Sequence, residues 1–168
     1  MASRTQAELV RGRGAHADAL ACLEGITCEE AGRTPPGVPY SIYGLVWHMS
    51  FWMENELERM AGRTPPYPQH AALGWPPTEA PANPGEWDEV VARFTRLLAD
   101  LGRLAEASPE VRVRAVPVTS EASHANQGST IEDVVWQTVV HNSHHLGQIV
   151  LLRRLLGSWP PPQGGDTW

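Results

Sequence analysis

The chain has 168 residues, of which 42% are hydrophobic and 19% charged, with a formal net charge of −6. This composition can bury a core and excludes a disordered polyelectrolyte, and the length fits one domain, which we expect to span residues 1–168. No apolar run approaches the roughly 18 residues of a membrane span, and the N-terminus lacks the apolar stretch of a secretory signal. We therefore expect a cytoplasmic protein that does not bind membranes.

All 13 basic residues are arginines, because the sequence contains no lysine. This excludes a lysine Schiff base, a phosphate-binding P-loop lysine and a lysine general base. Apart from Arg153 and Arg154 the arginines are scattered, so we predict no nucleic-acid partner. Cys22 and Cys28 are too few for a disulfide framework and lack the spacing of a redox or zinc pair.

The prolines fall in clusters that leave four Pro-free windows, at residues 1–34, 40–64, 85–108 and 118–159. A proline inside a helix removes a hydrogen bond and clashes with the preceding turn, at a cost of about 3 kcal/mol. The windows therefore predict an all-α fold with four main helices.

The first predicted helix runs from Thr5 to Glu24, where apolar residues recur at helical intervals although Gly12 and Gly14 weaken its first half. The second follows Ser41, a typical N-cap residue, and closes at Gly62. Its apolar and aromatic positions include Leu45, Met49, Trp52, Met53 and Met60.

The third predicted helix follows Asn83-Pro84-Gly85 and ends before Pro109, with the clearest amphipathic pattern of the four. For the fourth, Ser129 and Glu132 match a capping box, and the helix can continue to Leu156 and end at Gly157. The segment from Arg63 to Gly85 is long and Pro-rich, which predicts a crossover covering one end of the bundle. Residues 111–114 alternate in polarity and are expected to be extended.

Three of the seven histidines are crowded into the fourth helix. His141 and His145 lie about 40° apart on one helical face, so two imidazoles can converge on one ion. His144 lies at the flank of this face. The same stripe carries residues that must face the core: Val134, Thr138, Gln148, Leu152 and Leu155.

The second helix offers His48, whose neighbours Leu45, Phe51 and Trp52 place it on a buried face. Three histidines from two helices match the three protein ligands of an open metal site, with water in the remaining positions. The alternative is a hydrogen-bonded polar core without metal, since buried imidazoles need partners in either case. The absence of an adjacent carboxylate excludes the Glu-x-x-His di-iron pattern and the zincin motif.

Three segments together resemble the DinB/YfiT-like superfamily: residues 41–52, residues 141–149 and the ending 157–168. The resemblance implies a four-helix bundle with a long crossover, a homodimer, and a divalent metal held by His48, His141 and His145. Many members carry an aromatic residue, usually tyrosine, where this chain has His144. An all-histidine set accommodates Zn, Ni or Fe, so the metal is not readable from the sequence.

Two functions follow from this resemblance. The first is a metal-dependent enzyme, either a thiol S-transferase or a hydrolase, acting on a small-molecule substrate such as a low-molecular-weight thiol. His144 and Gln148 are its candidate catalytic residues, with Gln148 orienting a ligand or a metal-bound water, or alternatively forming a packing hydrogen bond. The second is a non-catalytic, stress-associated protein that binds a metal or a small ligand.

Trp47, Trp52 and Trp136 are expected either to line a pocket or to pack in the core or an interface. The tail with Trp159 and Trp168 is expected to fold back on the bundle or to meet a second subunit.

Overall fold

The computed structural model describes residues 5–118, 129–162 and 164–165, and all regular elements in these ranges are helical. The predicted all-α fold with a long crossover is confirmed. Two 3₁₀ turns, Ala21–Leu23 and Ala71–Gly74, accompany six α-helices: α1 (Gln6–Val10), α2 (Cys28–Gly32), α3 (Ile42–Met60), α4 (Pro84–Ala105), α5 (Pro109–Arg112) and α6 (Ile131–Leu156). None of the helices in the described ranges is long and apolar enough to cross a membrane.

The three long helices form the body of the bundle, because α3, α4 and α6 all contact one another. Their buried faces share one apolar cluster, in which Leu45, Met49, Phe94 and Ile149 are fully enclosed. The N-terminal segment takes the fourth position: α1 packs on α4, the Ala21–Leu23 turn on α6, and α2 on α3 and α4.

The first predicted helix, Thr5 to Glu24, is wrong over most of its length. α1 ends at Val10, because Gly12 and Gly14 adopt φ values of 81° and 96°, a left-handed conformation that interrupts a helix. The chain then turns, and Asp18 accepts a hydrogen bond from Arg11 at 2.6 Å. Where the second half of a continuous helix was expected, the chain therefore turns, and the Asp18 carboxylate pairs with Arg11.

The boundaries of α3 and α4 follow the prediction closely. Ser41 Oγ accepts the Gly44 N–H at 3.0 Å, and the chain leaves the helix end at Gly62 with φ 84°. Asn83 Oδ1 accepts the Glu86 N–H at 3.1 Å, and Pro84 occupies the first turn. Short polar side chains therefore satisfy the free N–H groups at both helix starts.

The N-terminal cap of α6 lies one residue later than predicted. Thr130, not Ser129, caps the helix: its Oγ1 accepts the Asp133 N–H, and the Asp133 carboxylate accepts the Thr130 N–H at 2.8 Å. The Ser129 carbonyl instead accepts the Val116 N–H at 2.9 Å. The C-terminal end is as predicted, with Gly157 left-handed at φ 75°.

Two smaller expectations also change. Residues 111–114 are not extended throughout, because Pro109 begins the short helix α5, which includes Val111 and Arg112. Leu155 does not face the core and is 56% exposed.

The C-terminal tail folds back on the bundle as far as it is described. Trp159 packs against the core, and the buried Arg153 guanidinium lies 5.5 Å from its ring centroid. Arg153 also donates hydrogen bonds to the carbonyls of Cys22 and Ser158. Trp168 lies outside the described residues.

Candidate metal centre

The structure brings the three predicted histidines together. His48 lies on α3, and His141 and His145 lie one turn apart on α6. Nε2 of His141 is 3.3 Å from Nε2 of His48 and 3.1 Å from Nε2 of His145. One ring nitrogen from each histidine lies within 4.8 Å of the other two. His48 and His145 are buried, whereas His141 is partly exposed, so the cluster is accessible at its His141 side.

Two of the imidazoles are held by acceptors behind them. His48 Nδ1 is 2.7 Å from the carbonyl oxygen of Gly74, and His145 Nδ1 is 2.6 Å from Oε1 of Gln148. Because these oxygens only accept, each Nδ1 carries the hydrogen of its neutral ring. The Nε2 lone pairs of His48 and His145 therefore point toward His141.

This arrangement fits a divalent cation. Three neutral imidazoles lie close together. Of the three, only His141 can carry a hydrogen on the Nε2 atom that faces the other two rings. A metal bound to histidine at about 2.0–2.1 Å in tetrahedral geometry separates its nitrogen ligands by about 3.3 Å. The two Nε2 separations of 3.1 and 3.3 Å agree with that spacing. The cluster consists of imidazoles without a thiolate or carboxylate, a donor set that suits zinc, nickel or iron.

The surroundings keep these imidazoles neutral. Burial lowers the pKa of His48 to about 4 and that of His141 to about 4, and it also lowers the pKa of His145. Burial disfavours the charged ring because it removes water. At neutral pH all three rings are therefore deprotonated, which is the form that binds a metal.

An aromatic wall encloses the His48 side of the cluster. Trp75 stacks on His48 with ring centroids 4.0 Å apart, and Tyr40 stacks on Trp75 at 5.0 Å. Trp52 meets His48 edge-on at 6.4 Å. A Cβ at Gly74 would lie 3.1 Å from Trp52 Nε1, so a larger residue at this position would crowd the Trp52 ring.

The sequence predicted that the crossover covers one end of the bundle, but not that it contacts a candidate ligand directly. The carbonyl of Gly74 and the ring of Trp75 both come from this connection, which the sequence presented only as a Pro-rich segment. A lone tryptophan directly after a glycine in such a segment was the available signal.

The two candidate catalytic residues have different environments. Gln148 is half-buried, and its Oε1 lies within hydrogen-bond distance of His145 Nδ1. His144 is exposed, lies outside the three-nitrogen group, and meets the ring of His145 at a centroid distance of 5.0 Å.

The three tryptophans considered as pocket residues also differ in their surroundings. Trp52 lies at the site, whereas Trp47 packs on Phe51 and beneath the Arg93 guanidinium. Trp136 is half-buried on α6.

Comparisons with known proteins identify one family. The family model of the DinB superfamily matches residues 12–149, a span that includes α3, the crossover, and the candidate ligands His141 and His145 of α6. A search of curated proteins found no match, and a search of solved structures found none either.

Proposed function

Since this chain belongs to the DinB superfamily, we propose that it binds a divalent metal through His48, His141 and His145. The observation that supports this most directly is the convergence of three Nε2 atoms, two of which have their lone pairs directed inward by acceptors on Nδ1. A hydrogen-bonded core without metal explains this less well, because one proton on His141 is shared among three facing nitrogens.

We further propose that the protein is a metal-dependent enzyme that uses this site, either a thiol S-transferase or a hydrolase. A bound divalent ion with neutral ligands lowers the pKa of a water or thiol at its open position. The chain itself contributes orientation and shielding: Gln148 and Gly74 fix two of the rings, and Trp75 excludes water from the His48 side. The partial exposure of His141 leaves an approach for a small molecule such as a low-molecular-weight thiol.

The second candidate is a non-catalytic protein that binds a metal or small ligand. One feature favours it: the three-histidine group contains no carboxylate that could act as a general base. The cytoplasmic location stays a prediction under either function.

Metal content tests the site. We expect purified wild-type protein to contain a divalent metal by elemental analysis, and His48→Ala and His141→Ala to lose most of it. His16→Ala is the matched control, because His16 lies outside the cluster and contacts Ser143 through Nε2. Unchanged metal content in both site variants would overturn the assignment.

Thiol access separates the two candidates. In Co²⁺-substituted protein, addition of a low-molecular-weight thiol should change the visible spectrum if the metal has an open position that binds thiolate. An unchanged spectrum counts against a transferase and favours a closed site.

The outer face of α6 provides a surface for the expected homodimer. Val140, Leu151 and Leu155 are 69%, 56% and 56% exposed, and they recur along one stripe of the helix. Gly147 lies on the same stripe, and no atom of the described residues lies within 4 Å of a Cβ built on it, so a second backbone can approach closely. Exposed apolar stripes of this kind mark interaction surfaces.

A second copy of the chain is the partner that fits this stripe. The first turn of α6 carries Glu132 and Asp133, and its last turn carries the exposed Arg154. If two α6 helices pair antiparallel about a twofold axis, the acidic end of one lies toward the basic end of the other. Charge and apolar character therefore both favour an α6–α6 homodimer.

A further inference from the structure

Asn142 follows His141 on α6, and its side chain has unusual surroundings. The residue is 1% exposed, and both Oδ1 and Nδ2 are enclosed without a hydrogen-bond partner. Among the described residues, the other enclosed unpaired atoms are Nε of Arg11 and of Arg112, and both of these guanidinium groups bind a carboxylate through another nitrogen. Because burying an unpaired amide costs free energy, Asn142 requires an explanation.

The imidazole of His141, which precedes Asn142, differs from those of His48 and His145 in the contacts of its ring nitrogens. His48 and His145 each place Nδ1 against an oxygen, at 2.7 and 2.6 Å. The contacts of His141 with the other two imidazoles both go through Nε2. Since the neutral rings of His48 and His145 carry their hydrogens on Nδ1, the proton between the three Nε2 atoms belongs to His141.

Binding a cation through the same three nitrogens changes the requirement at His141. Its Nε2 must give up the proton, and the neutral ring then carries a hydrogen on Nδ1 instead. The ring stays neutral, so no net proton is released. A ligating histidine almost always donates this second N–H to an acceptor, which fixes the tautomer and the ring orientation.

Resting on the proposed metal site, we propose that Asn142 is a positioning residue whose Oδ1 accepts the Nδ1–H of His141 when the three histidines bind a divalent ion. The two residues are adjacent in sequence, and the amide is buried and unpaired. Each candidate ligand then has its own acceptor: Gly74, Gln148 and Asn142.

Replacement of Asn142 by an apolar residue of similar size tests the proposal. If Asn142 is only an unpaired core amide, Asn142→Leu stabilises the fold or leaves it unchanged, and Zn²⁺ affinity stays the same. If Asn142 positions His141, Asn142→Leu weakens Zn²⁺ binding about 10- to 100-fold in a chelator competition, without loss of fold stability. Asn142→Asp keeps an acceptor oxygen and should bind Zn²⁺ more tightly than the leucine variant.

A matched control and a second readout accompany these variants. Ser50→Ala removes another fully buried polar group, whose Oγ donates its hydrogen bond to the Val46 carbonyl. It should bind Zn²⁺ as the wild type does. In ¹⁵N NMR spectra of the Zn²⁺-bound wild type, the Nδ1–H of His141 should exchange slowly with water, and in Asn142→Leu it should exchange rapidly.

The outcomes separate this inference from the proposed function. Wild-type protein that fails to bind Zn²⁺ overturns both. Wild-type protein that binds Zn²⁺, together with Asn142→Leu that binds equally well and shows the same Nδ1–H exchange, overturns only the role of Asn142.

Discussion

Gln148 shows how a residue beside the cluster can control it. Its Oε1 lies 2.6 Å from His145 Nδ1, one turn along α6 from this candidate ligand. We expect Gln148→Leu to weaken metal binding about 10- to 100-fold, because the ring of His145 loses the acceptor that fixes its tautomer. Chelator competition measures this loss. Gln148→Glu keeps an acceptor oxygen and serves as the control, and equal affinities of wild type and Gln148→Leu would contradict the orienting role.

The lowered pKa values of the histidines predict a pH-dependent stability of the metal-free protein. In an unfolded chain these rings titrate near pH 6.5, whereas in the folded chain His48 and His141 titrate at about 4. Between these values the unfolded chain binds more protons, so the free energy of unfolding falls as the pH is lowered from about 6.5 to about 4.

Urea unfolding of chelator-treated protein across this pH range measures the effect. His141→Leu should lose less stability on acidification than the wild type, since it lacks one of the rings that must be buried uncharged. An identical pH dependence in the two proteins would show that His141 is not the source.

At the scale of a helix, the N-cap of α6 distinguishes two adjacent residues. Thr130→Ala removes the side chain that accepts the Asp133 N–H and should lower the free energy of unfolding by about 1 kcal/mol. Ser129→Ala should change it much less, because Ser129 contributes its backbone carbonyl to the contact with Val116. Urea midpoints of both variants check this, and a larger loss in Ser129→Ala would favour the cap predicted from the sequence.

The helices show which features the sequence encodes locally. The starts of α3 and α4 were predictable because Ser41 and Asn83 act on N–H groups within three residues. The first helix was mispredicted because apolar spacing says nothing about backbone angles, and Gly12 and Gly14 adopt left-handed φ values that end it. The neighbouring Ser129 and Thr130 are chemically alike, and only the contact with Val116 decides which of them caps α6.

At the scale of the whole molecule, the exposed stripe of α6 predicts a homodimer. We expect sedimentation of the wild type to show a dimer and Leu151→Asp to shift it to monomer, because a charge would be buried in the interface. Leu73→Asp is the matched control: Leu73 is 57% exposed, nearly the same as Leu151 at 56%, but it lies in the crossover. A monomeric wild type, or equal effects of the two substitutions, would contradict the α6 interface.

The candidate site could be predicted only where helical geometry determines it. His141 and His145 share a face because of their four-residue spacing, and the apolar neighbours of His48 indicated burial. The contacts of His48 with Gly74 and Trp75 depend on how the crossover folds over α3. A backbone carbonyl also has no side-chain identity, so a sequence pattern gives no sign that it will orient a ligand 26 residues away.

The origin of that carbonyl limits how the centre can be transplanted. The three imidazoles come from two helices, but the acceptor that fixes His48 comes from the Ala71–Gly74 turn of the connection. A designed bundle that copies α3 and α6 alone would carry the right donors with one ring free to rotate. A minimal transplant of this centre therefore has to include the connection through Trp75 as a third, non-helical component.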